Sequence, residues 1–256
     1  MNFRNQYNKP RPKKNTLVVG KDKVIEALKA GNALDRIYMS TTVHGEQIDE
    51  IKVLAATQQI PINKVPVQKL DSFNVSNHGT CIAVISKIKY QDLQEVISFV
   101  VDNGDTPLFL ILDGITDVRN IGAIARTAFC CGVQAIIIPE KGVGALNEDA
   151  ITTSAGALEE IAVCRVNSLM KAVDELHMNG IKVYASEMTA ETNVFDMPLK
   201  EPCALVLGSE DKGIYPALMK VCDDGFKIPM VTNFESLNVS VAAGMILYEA
   251  MKQRMQ

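Results

Sequence analysis

Short apolar runs alternate with amphipathic stretches along most of the chain. The clearest run is Leu108–Leu112, and turn-forming residues flank it on both sides. This pattern is typical of a strand that is buried on both faces of a sheet. Similar runs at Ala135–Ile138 and Cys203–Leu207 predict two further strands, and residues 238–254 predict a terminal helix. Strands that alternate with helices in this way indicate an α/β protein with a parallel sheet.

The same pattern divides the chain into four segments. Residues 1–14 form a basic, flexible arm, and residues 15–88 form a small α/β domain. Residues 89–106 contain a predicted polar helix at 91–101 and end in a dense cluster of turn formers, so we interpret them as a linker. Residues 107–256 contain about six strands with intervening helices, which predicts a larger parallel α/β domain.

Charge is unevenly distributed along the chain. The formal net charge is -4 over 256 residues, and residues 1–14 carry five cations and no acid. The overall balance excludes a uniformly basic nucleic-acid-binding protein, but a basic arm can follow a phosphate backbone through salt-dependent contacts. A solvated tail without a partner is an equally good interpretation of the arm.

Composition also excludes several other classes of protein. The apolar runs are too short to span a bilayer and the N-terminus has no apolar signal core, so we expect a cytoplasmic protein that binds no membrane. The six cysteines show no C-x-x-C spacing and the three histidines lie far apart. We therefore expect no metal site and free, mostly buried thiols.

Three polar stretches, two of which contain glycine, follow apolar strands of the C-terminal domain. The first, residues 117–126, offers the amide of Asn120 and the guanidinium of Arg126 at a turn-to-helix junction. The second, residues 207–213, contains two glycines that let a ligand approach the backbone, with Glu210 as a hydrogen-bond acceptor. Ligands bind beyond the carboxyl ends of the strands in such sheets, so these stretches predict a site there.

The third stretch runs from Ile228–Met230 into residues 236–242, where Ser236 and Asn238 lie at the start of the predicted terminal helix. Taken alone, these side chains have two interpretations. They could bind a ligand, or they could cap the helix, since Ser and Asn are favoured at helix N-termini. A phosphate-binding P-loop in the second stretch is excluded, because Ile214-Tyr215 stands where that loop needs Lys followed by Ser or Thr.

The three stretches, in this order, resemble the motifs of a known family. N-x-G-A-I-x-R at residues 120–126, L-G-x-E-x-x-G at 207–213, and I-P-M with S-L-N-V-S-V-A at 228–230 and 236–242 resemble the three motifs of the SpoU/TrmH family. That family belongs to the SPOUT superfamily of RNA methyltransferases. Residues 15–88 also resemble the small substrate-binding domain of its ribosomal-RNA ribose methyltransferase subgroup, so the resemblance covers nearly the whole chain.

The resemblance implies methylation of a ribose 2′-hydroxyl in RNA with S-adenosylmethionine as methyl donor. It implies a homodimer of chains that each combine a parallel-sheet SPOUT domain, with a deep C-terminal trefoil knot, and a small N-terminal α/β RNA-binding domain resembling ribosomal proteins. The expected substrate is a guanosine of large-subunit ribosomal RNA. The alternatives are a transfer-RNA ribose methyltransferase and a non-catalytic RNA-binding or ribosome-assembly protein of the same fold.

The resemblance also implies which residues form the site. Backbone groups of three residues would hold S-adenosylmethionine, namely Gly208, Ile228 and Leu237. Five side chains would line the catalytic pocket, namely Asn120, Arg126, Glu210, Ser236 and Asn238. Two roles stay open for the arginine, a clamp on the RNA phosphate beside the target ribose or a general base, although a guanidinium is ordinarily a poor base.

The N-terminal domain departs from the family pattern at two places. Gly20 is followed by Lys21-Asp22 instead of completing a Gly-x-His or Gly-x-Arg pattern. Residues 77–79 read Asn-His-Gly, where relatives tend to carry His-Gln-Gly before the last strand of this domain. Both differences weaken any inference about the particular RNA target, and both leave the motifs of the catalytic domain intact.

Overall fold

The computed structural model describes residues 17–58, 60–143, 146–232 and 236–256. The predicted basic arm, residues 1–14, lies outside the described residues. The chain divides into an N-terminal unit that ends at Ser86 and a C-terminal unit that begins at Lys87. In the described part of the chain, none of the helices has both the length and the apolar character of a membrane span.

The N-terminal unit is a four-stranded sheet covered by helices. In chain order its elements are β1 (Leu17–Val19), α1 (Lys21–Lys29), β2 (Leu34–Ser40), α2 (Glu46–Thr57), β3 (Ile62–Val65), α3 (Val67–Asp71) and β4 (Cys81–Ile85). Strand β4 pairs antiparallel with β1 and β2, and β3 pairs in parallel with β2, which gives the order β1-β4-β2-β3. Ile37 and Met39 of β2 share a core with α1 and α2, whereas the ring of Tyr38, which alternates with them, contacts that of Phe73.

The C-terminal unit is an eight-stranded, all-parallel sheet between helices. In chain order its elements are β5 (Tyr90–Gln91), α4 (Leu93–Asp102), β6 (Leu108–Leu112), α5 (Val118–Cys130), β7 (Ala135–Pro139), α6 (Glu148–Ser154), α7 (Ala157–Glu160), β8 (Ala162–Val166), α8 (Leu169–Met178), β9 (Lys182–Ser186), β10 (Thr192–Asn193), a 3-10 helix (Val194–Asp196), β11 (Cys203–Leu207), α9 (Pro216–Met219), β12 (Asp224–Lys227) and α10 (Val239–Arg254). The strand order is β10-β12-β9-β11-β6-β7-β8-β5. The predicted α/β architecture with a parallel sheet is confirmed, whereas the trefoil knot stays a prediction.

The apolar run in β6 is continuous because both faces of the sheet are covered. Leu108, Leu110 and Leu112 lie in the core formed with α5 and α10. Phe109 and Ile111, which alternate with them, lie in the core formed with α4 and α8. A strand in this position needs apolar side chains at every residue, as the sequence predicted.

The stretch expected to be a linker, residues 89–106, is built into the C-terminal unit. Strand β5 pairs with β8, and α4 follows it directly. The helix buries a stripe with the spacing i, i+3, i+4, i+7, namely Leu93, Val96, Ile97 and Val100. The helix predicted at residues 91–101 is therefore present, but the polar residues between its buried positions hid the apolar stripe. The division between the units falls before this helix, at Ser86.

The six cysteines are all free thiols, and half of them are buried, namely Cys81, Cys164 and Cys203. Burial raises the pKa of the Cys81 and Cys164 thiols to about 12, so both stay protonated at neutral pH. Cys130 is exposed, and Cys131 and Cys222 are half-buried. The prediction of mostly buried thiols therefore holds for three of the six.

Candidate active site

A cavity of about 350 Å³ lies at the carboxyl edge of the C-terminal sheet. The segments that follow β9, β11 and β12 line it, together with the first turn of α10. Its volume falls within the range of small-molecule sites, roughly 300–1,000 Å³. The predicted cofactor residues Gly208, Ile228 and Leu237 all line this cavity, as do Glu210 and Ser236.

The loop after β11 is folded tightly against itself. A methyl group on Gly208 would overlap the backbone of Gly213 and Ile214, so only glycine fits there. Ser209 and Gly213 exchange two backbone hydrogen bonds, of 3.1 and 2.9 Å. The resulting turn holds the backbone of Gly208 and the side chain of Glu210 on the cavity wall.

Side chains from all three motifs meet at Glu210. Its Oε1 accepts hydrogen bonds from Nδ2 of Asn238 at 2.6 Å, from the backbone nitrogen of Val239 at 3.1 Å and from Nδ2 of Asn120 at 3.3 Å. The two amides also contact each other, since Asn238 Nδ2 lies 3.3 Å from Asn120 Oδ1. The carboxylate sits at the N-terminus of α10, where the helix dipole favours negative charge.

Asn238 serves both interpretations of the third stretch. Its Oδ1 accepts hydrogen bonds from the backbone nitrogen and the hydroxyl of Ser240, at 3.0 and 2.5 Å, which caps α10. Because that oxygen is committed to the helix, the amide nitrogen is directed towards Glu210 and Asn120. The residue is a helix cap and a member of the cluster at the same time.

Arg126 is not brought together with the other predicted residues. Helix α5 begins at Val118, with Asp117 as its N-cap, so Asn120 lies in the first helical turn instead of a preceding loop. At about 100° per residue, Arg126 points about 120° away from Asn120 around the helix. Arg126 is exposed, does not line the cavity, and has no hydrogen bond or ion pair within the described ranges.

The segment after β9 also lines the cavity, although it was not among the residues predicted for the site. Ser186, Glu187, Met188 and Thr189 contribute to the wall. The backbone nitrogen of Glu187 donates to the carbonyl of Phe226 at 2.8 Å, which links this segment to β12. The signal was available, because these residues follow a predicted strand and the carboxyl-edge rule applies to every strand of a parallel sheet.

Two known families match the two units of the chain. The SpoU rRNA methylase family matches residues 107–248. The family described as RNA 2′-O ribose methyltransferase substrate binding matches residues 17–91. Together these matches cover most of the chain.

Two bacterial relatives align with nearly the full chain. A protein of Staphylococcus haemolyticus is 35% identical over 240 residues, which cover 94% of this chain and 96% of its own. YacO of Bacillus subtilis is 35% identical over 237 residues, which cover 93% of this chain and 95% of its own. Both carry names that place them in the TrmH family of tRNA/rRNA methyltransferases.

Solved structures share the fold. The SpoU methyltransferase AviRb from Streptomyces viridochromogenes, crystallised in complex with AdoMet, has a TM-score of 0.60 at 24% identity, covering 93% of this chain and 90% of its own. A TrmH/SpoU tRNA modifying enzyme of A. aeolicus has a TM-score of 0.52 at 28% identity, covering 64% of this chain and 81% of its own. With the family matches and the full-length relatives, these likenesses lead to one conclusion: the chain belongs to the SpoU/TrmH family of RNA methyltransferases.

Proposed function

We propose that this protein transfers a methyl group from S-adenosylmethionine to a ribose 2′-hydroxyl of RNA. The observation that carries the proposal is the cluster of Asn120, Glu210 and Asn238, which unites the three family motifs beside a cavity of suitable size. We propose a guanosine of large-subunit ribosomal RNA as the target.

The residues around the cavity fit S-adenosylmethionine. Leu207, Ile214 and Ile228 offer apolar surface for an adenine ring, and the bare backbone of Gly208 allows a close approach. Glu187 offers a carboxylate to a positively charged ligand group. The crystallisation of AviRb with AdoMet supports the same cofactor here.

When bound, S-adenosylmethionine supplies a methyl group on a positively charged sulfur. The protein's task is then to align the ribose oxygen and to assist the loss of its proton. Glu210 holds the amides of Asn120 and Asn238 in fixed positions, because a single carboxylate oxygen receives both. We assign Ser236 and Asn238 to orienting the ribose or the cofactor.

Arg126 is assigned to the RNA phosphate beside the target ribose. Its side chain is exposed, so an RNA backbone can reach it. An exposed guanidinium is a poor proton acceptor, but its planar array of donors matches a phosphate. The position of Arg126 outside the cavity thus supports the clamp over the general base.

The N-terminal unit supports a ribosomal substrate. Its sequence matches the substrate-binding domain of RNA 2′-O ribose methyltransferases, and the C-terminal unit matches the rRNA methylases. The relatives' names include both tRNA and rRNA, so transfer RNA is the competing substrate. The departures at Lys21-Asp22 and His78 bear on which nucleotide is chosen.

A homodimer is also part of the proposal. Helix α10 exposes an apolar stripe with the spacing i, i+4, i+7, formed by Val241, Met245 and Tyr248, although its opposite side is already buried in the core. Such a stripe suits a helix interface between two chains.

Light scattering should show a dimer, and the Tyr248→Glu substitution should dissociate it. Phe99→Glu, which alters an exposed aromatic residue on α4, should leave the dimer intact.

The reaction is tested by labelled methyl transfer onto total RNA from a strain lacking the protein, with the modified nucleotide mapped by mass spectrometry. The expected product is a 2′-O-methylguanosine in large-subunit ribosomal RNA. Methylation of transfer RNA alone would contradict the proposal that ribosomal RNA is the substrate. Calorimetry that detects no binding of S-adenosylmethionine would contradict the enzyme and favour a non-catalytic RNA-binding protein.

A further inference from the structure

Asp113 contacts both ends of the loop that follows β11. Its backbone nitrogen donates to the carbonyl of Leu207 at 2.9 Å, at the start of the loop. Its carboxylate Oδ2 accepts a hydrogen bond of 2.6 Å from the backbone nitrogen of Tyr215, at the end of the loop. Asp113 directly follows β6, so the strand next to β11 in the sheet supplies the contact.

The chain passes close to the loop immediately after this contact. Gly114 has a φ of +68°, and a methyl group there would lie 3.7 Å from Cβ of Ser209. The glycine lets the chain turn away from β6 while Asp113 stays against the loop. The segments after β6 and β11 are therefore in contact along the carboxyl edge, and Asp113 is the side chain that joins them at Tyr215.

The remaining described hydrogen bonds of the loop leave its exit to Asp113. Ser209, Lys212 and Gly213 bond to one another within the turn, and Glu210 bonds to Asn120 and the start of α10. None of these bonds involves the backbone nitrogen of Tyr215, whose carbonyl accepts from the backbone nitrogens of Leu218 and Met219 in α9. The backbone nitrogen of Tyr215 precedes α9, and without the Asp113 carboxylate this donor would lose its partner in the protein.

We propose that Asp113 is a positioning residue for S-adenosylmethionine binding. Asp113 does not line the cavity, whereas Gly208, Glu210 and Ile214 of the loop after β11 do. Asp113 acts through that loop by holding its two ends at the carboxyl edge of the sheet. The inference rests on the proposed function, since it takes S-adenosylmethionine as the ligand of the cavity.

The test compares Asp113→Ala with Asp113→Asn, because the asparagine keeps an oxygen that can accept from Tyr215. By calorimetry, Asp113→Ala should weaken S-adenosylmethionine binding about tenfold, the effect of losing one hydrogen bond to a charged group. Asp113→Asn should stay within about threefold of the wild type.

In methyl-transfer assays Asp113→Ala should raise KM for S-adenosylmethionine with little change in kcat. Asp102→Ala, at the exposed end of α4, is the matched control and should change neither value.

Hydrogen exchange on the same proteins reports the contact directly. The Tyr215 amide should exchange faster in Asp113→Ala and stay protected in Asp113→Asn. Wild-type affinity in Asp113→Ala, or an equal loss in Asp113→Asn, would overturn the positioning role. If Asp113→Ala does not fold, Asp113→Ser replaces it with the same expectations, because its hydroxyl is too short to keep the contact.

The outcomes separate this inference from the proposed reaction. Affinity is measured without RNA, so wild-type protein that binds S-adenosylmethionine but does not methylate RNA contradicts the reaction alone. Wild-type protein that does not bind S-adenosylmethionine contradicts both. Normal methyl transfer by Asp113→Ala with unchanged KM contradicts the positioning role alone.

Discussion

The amide nitrogen of Asn238 donates a 2.6 Å hydrogen bond to Oε1 of Glu210. The same carboxylate oxygen accepts from Asn120, which lies 90 residues earlier in the chain. One oxygen thus joins the start of α5, the loop after β11 and the N-cap of α10. A substitution at Glu210 should therefore disturb the contacts of all three segments.

Glu210→Ala removes the shared acceptor and leaves the amides of Asn120 and Asn238 without it. We expect methyl transfer to fall by about a hundredfold, because more than one hydrogen bond to a charged group is lost. Glu210→Gln keeps one oxygen and should lose about tenfold. Single-turnover rates at saturating S-adenosylmethionine measure both variants.

The matched control is Asp211→Asn, which neutralises the neighbouring carboxylate. Asp211 is exposed and does not line the cavity. It should keep the wild-type rate. Equal losses in Glu210→Ala and Asp211→Asn would show that charge in the loop matters and that the cluster does not.

Arg126→Ala should abolish methyl transfer while S-adenosylmethionine still binds, because the side chain lies outside the cavity. Arg126→Lys keeps the charge but loses the planar fork, so it should recover part of the RNA affinity if the residue is a phosphate clamp. Filter binding of RNA and single-turnover rates separate the two effects. Near-normal turnover in Arg126→Ala would contradict both the clamp and the general base.

Gly208→Ala should weaken S-adenosylmethionine binding by about tenfold or more, because the new methyl overlaps the backbone of Gly213 and forces the loop to move. Gly225→Ala is the control, since its methyl would meet Ala190 at an ordinary distance of 3.5 Å. Calorimetry on both variants measures the difference. Similar affinities in the two would contradict the close packing at Gly208.

Asp223 should make the stability of the C-terminal unit depend on pH. Burial alone would raise the pKa of this carboxyl, but hydrogen bonds from Lys182, the Val183 backbone and His177 outweigh burial and lower it below its ordinary value of 3.8. A lowered pKa in the folded state means that the stabilisation is complete above pH 3.8 and is lost as the pH falls through the lowered value.

The comparison of wild type with Asp223→Asn tests this dependence. At pH 6 the variant should be less stable by about 0.5–1 kcal/mol, since hydrogen bonds to a charged acceptor become bonds to a neutral one and solvent screens this exposed carboxylate. The difference should shrink as the pH falls below 3.8. Thermal melts across this range measure it, and a constant difference down to the lowest pH would contradict the assignment.

The local sequence pattern was sufficient to predict most strands and to locate the three motifs. It was not sufficient where an element can be recognised only from the residues that pack against it. Leu108–Leu112 was identifiable as a buried strand because every residue is apolar. Helix α4 was predicted as a polar helix within a linker, because polar residues interrupt its buried stripe, and its place in the core shows only beside α8. The two-residue strands β5 and β10 carry no pattern at all.

The amino-acid sequence alone establishes the family, the α/β class and the residue types around the cavity, because motif spacing and hydrophobic period are local properties of the chain. Which side chains meet depends on the three-dimensional fold. It joined Asn120, Glu210 and Asn238 across the sheet edge, and it turned Arg126 away from them along the same helix. It also placed Asp113 against Tyr215, 102 residues later. Such contacts depend on strand order and helix rotation, which no stretch of the sequence states alone.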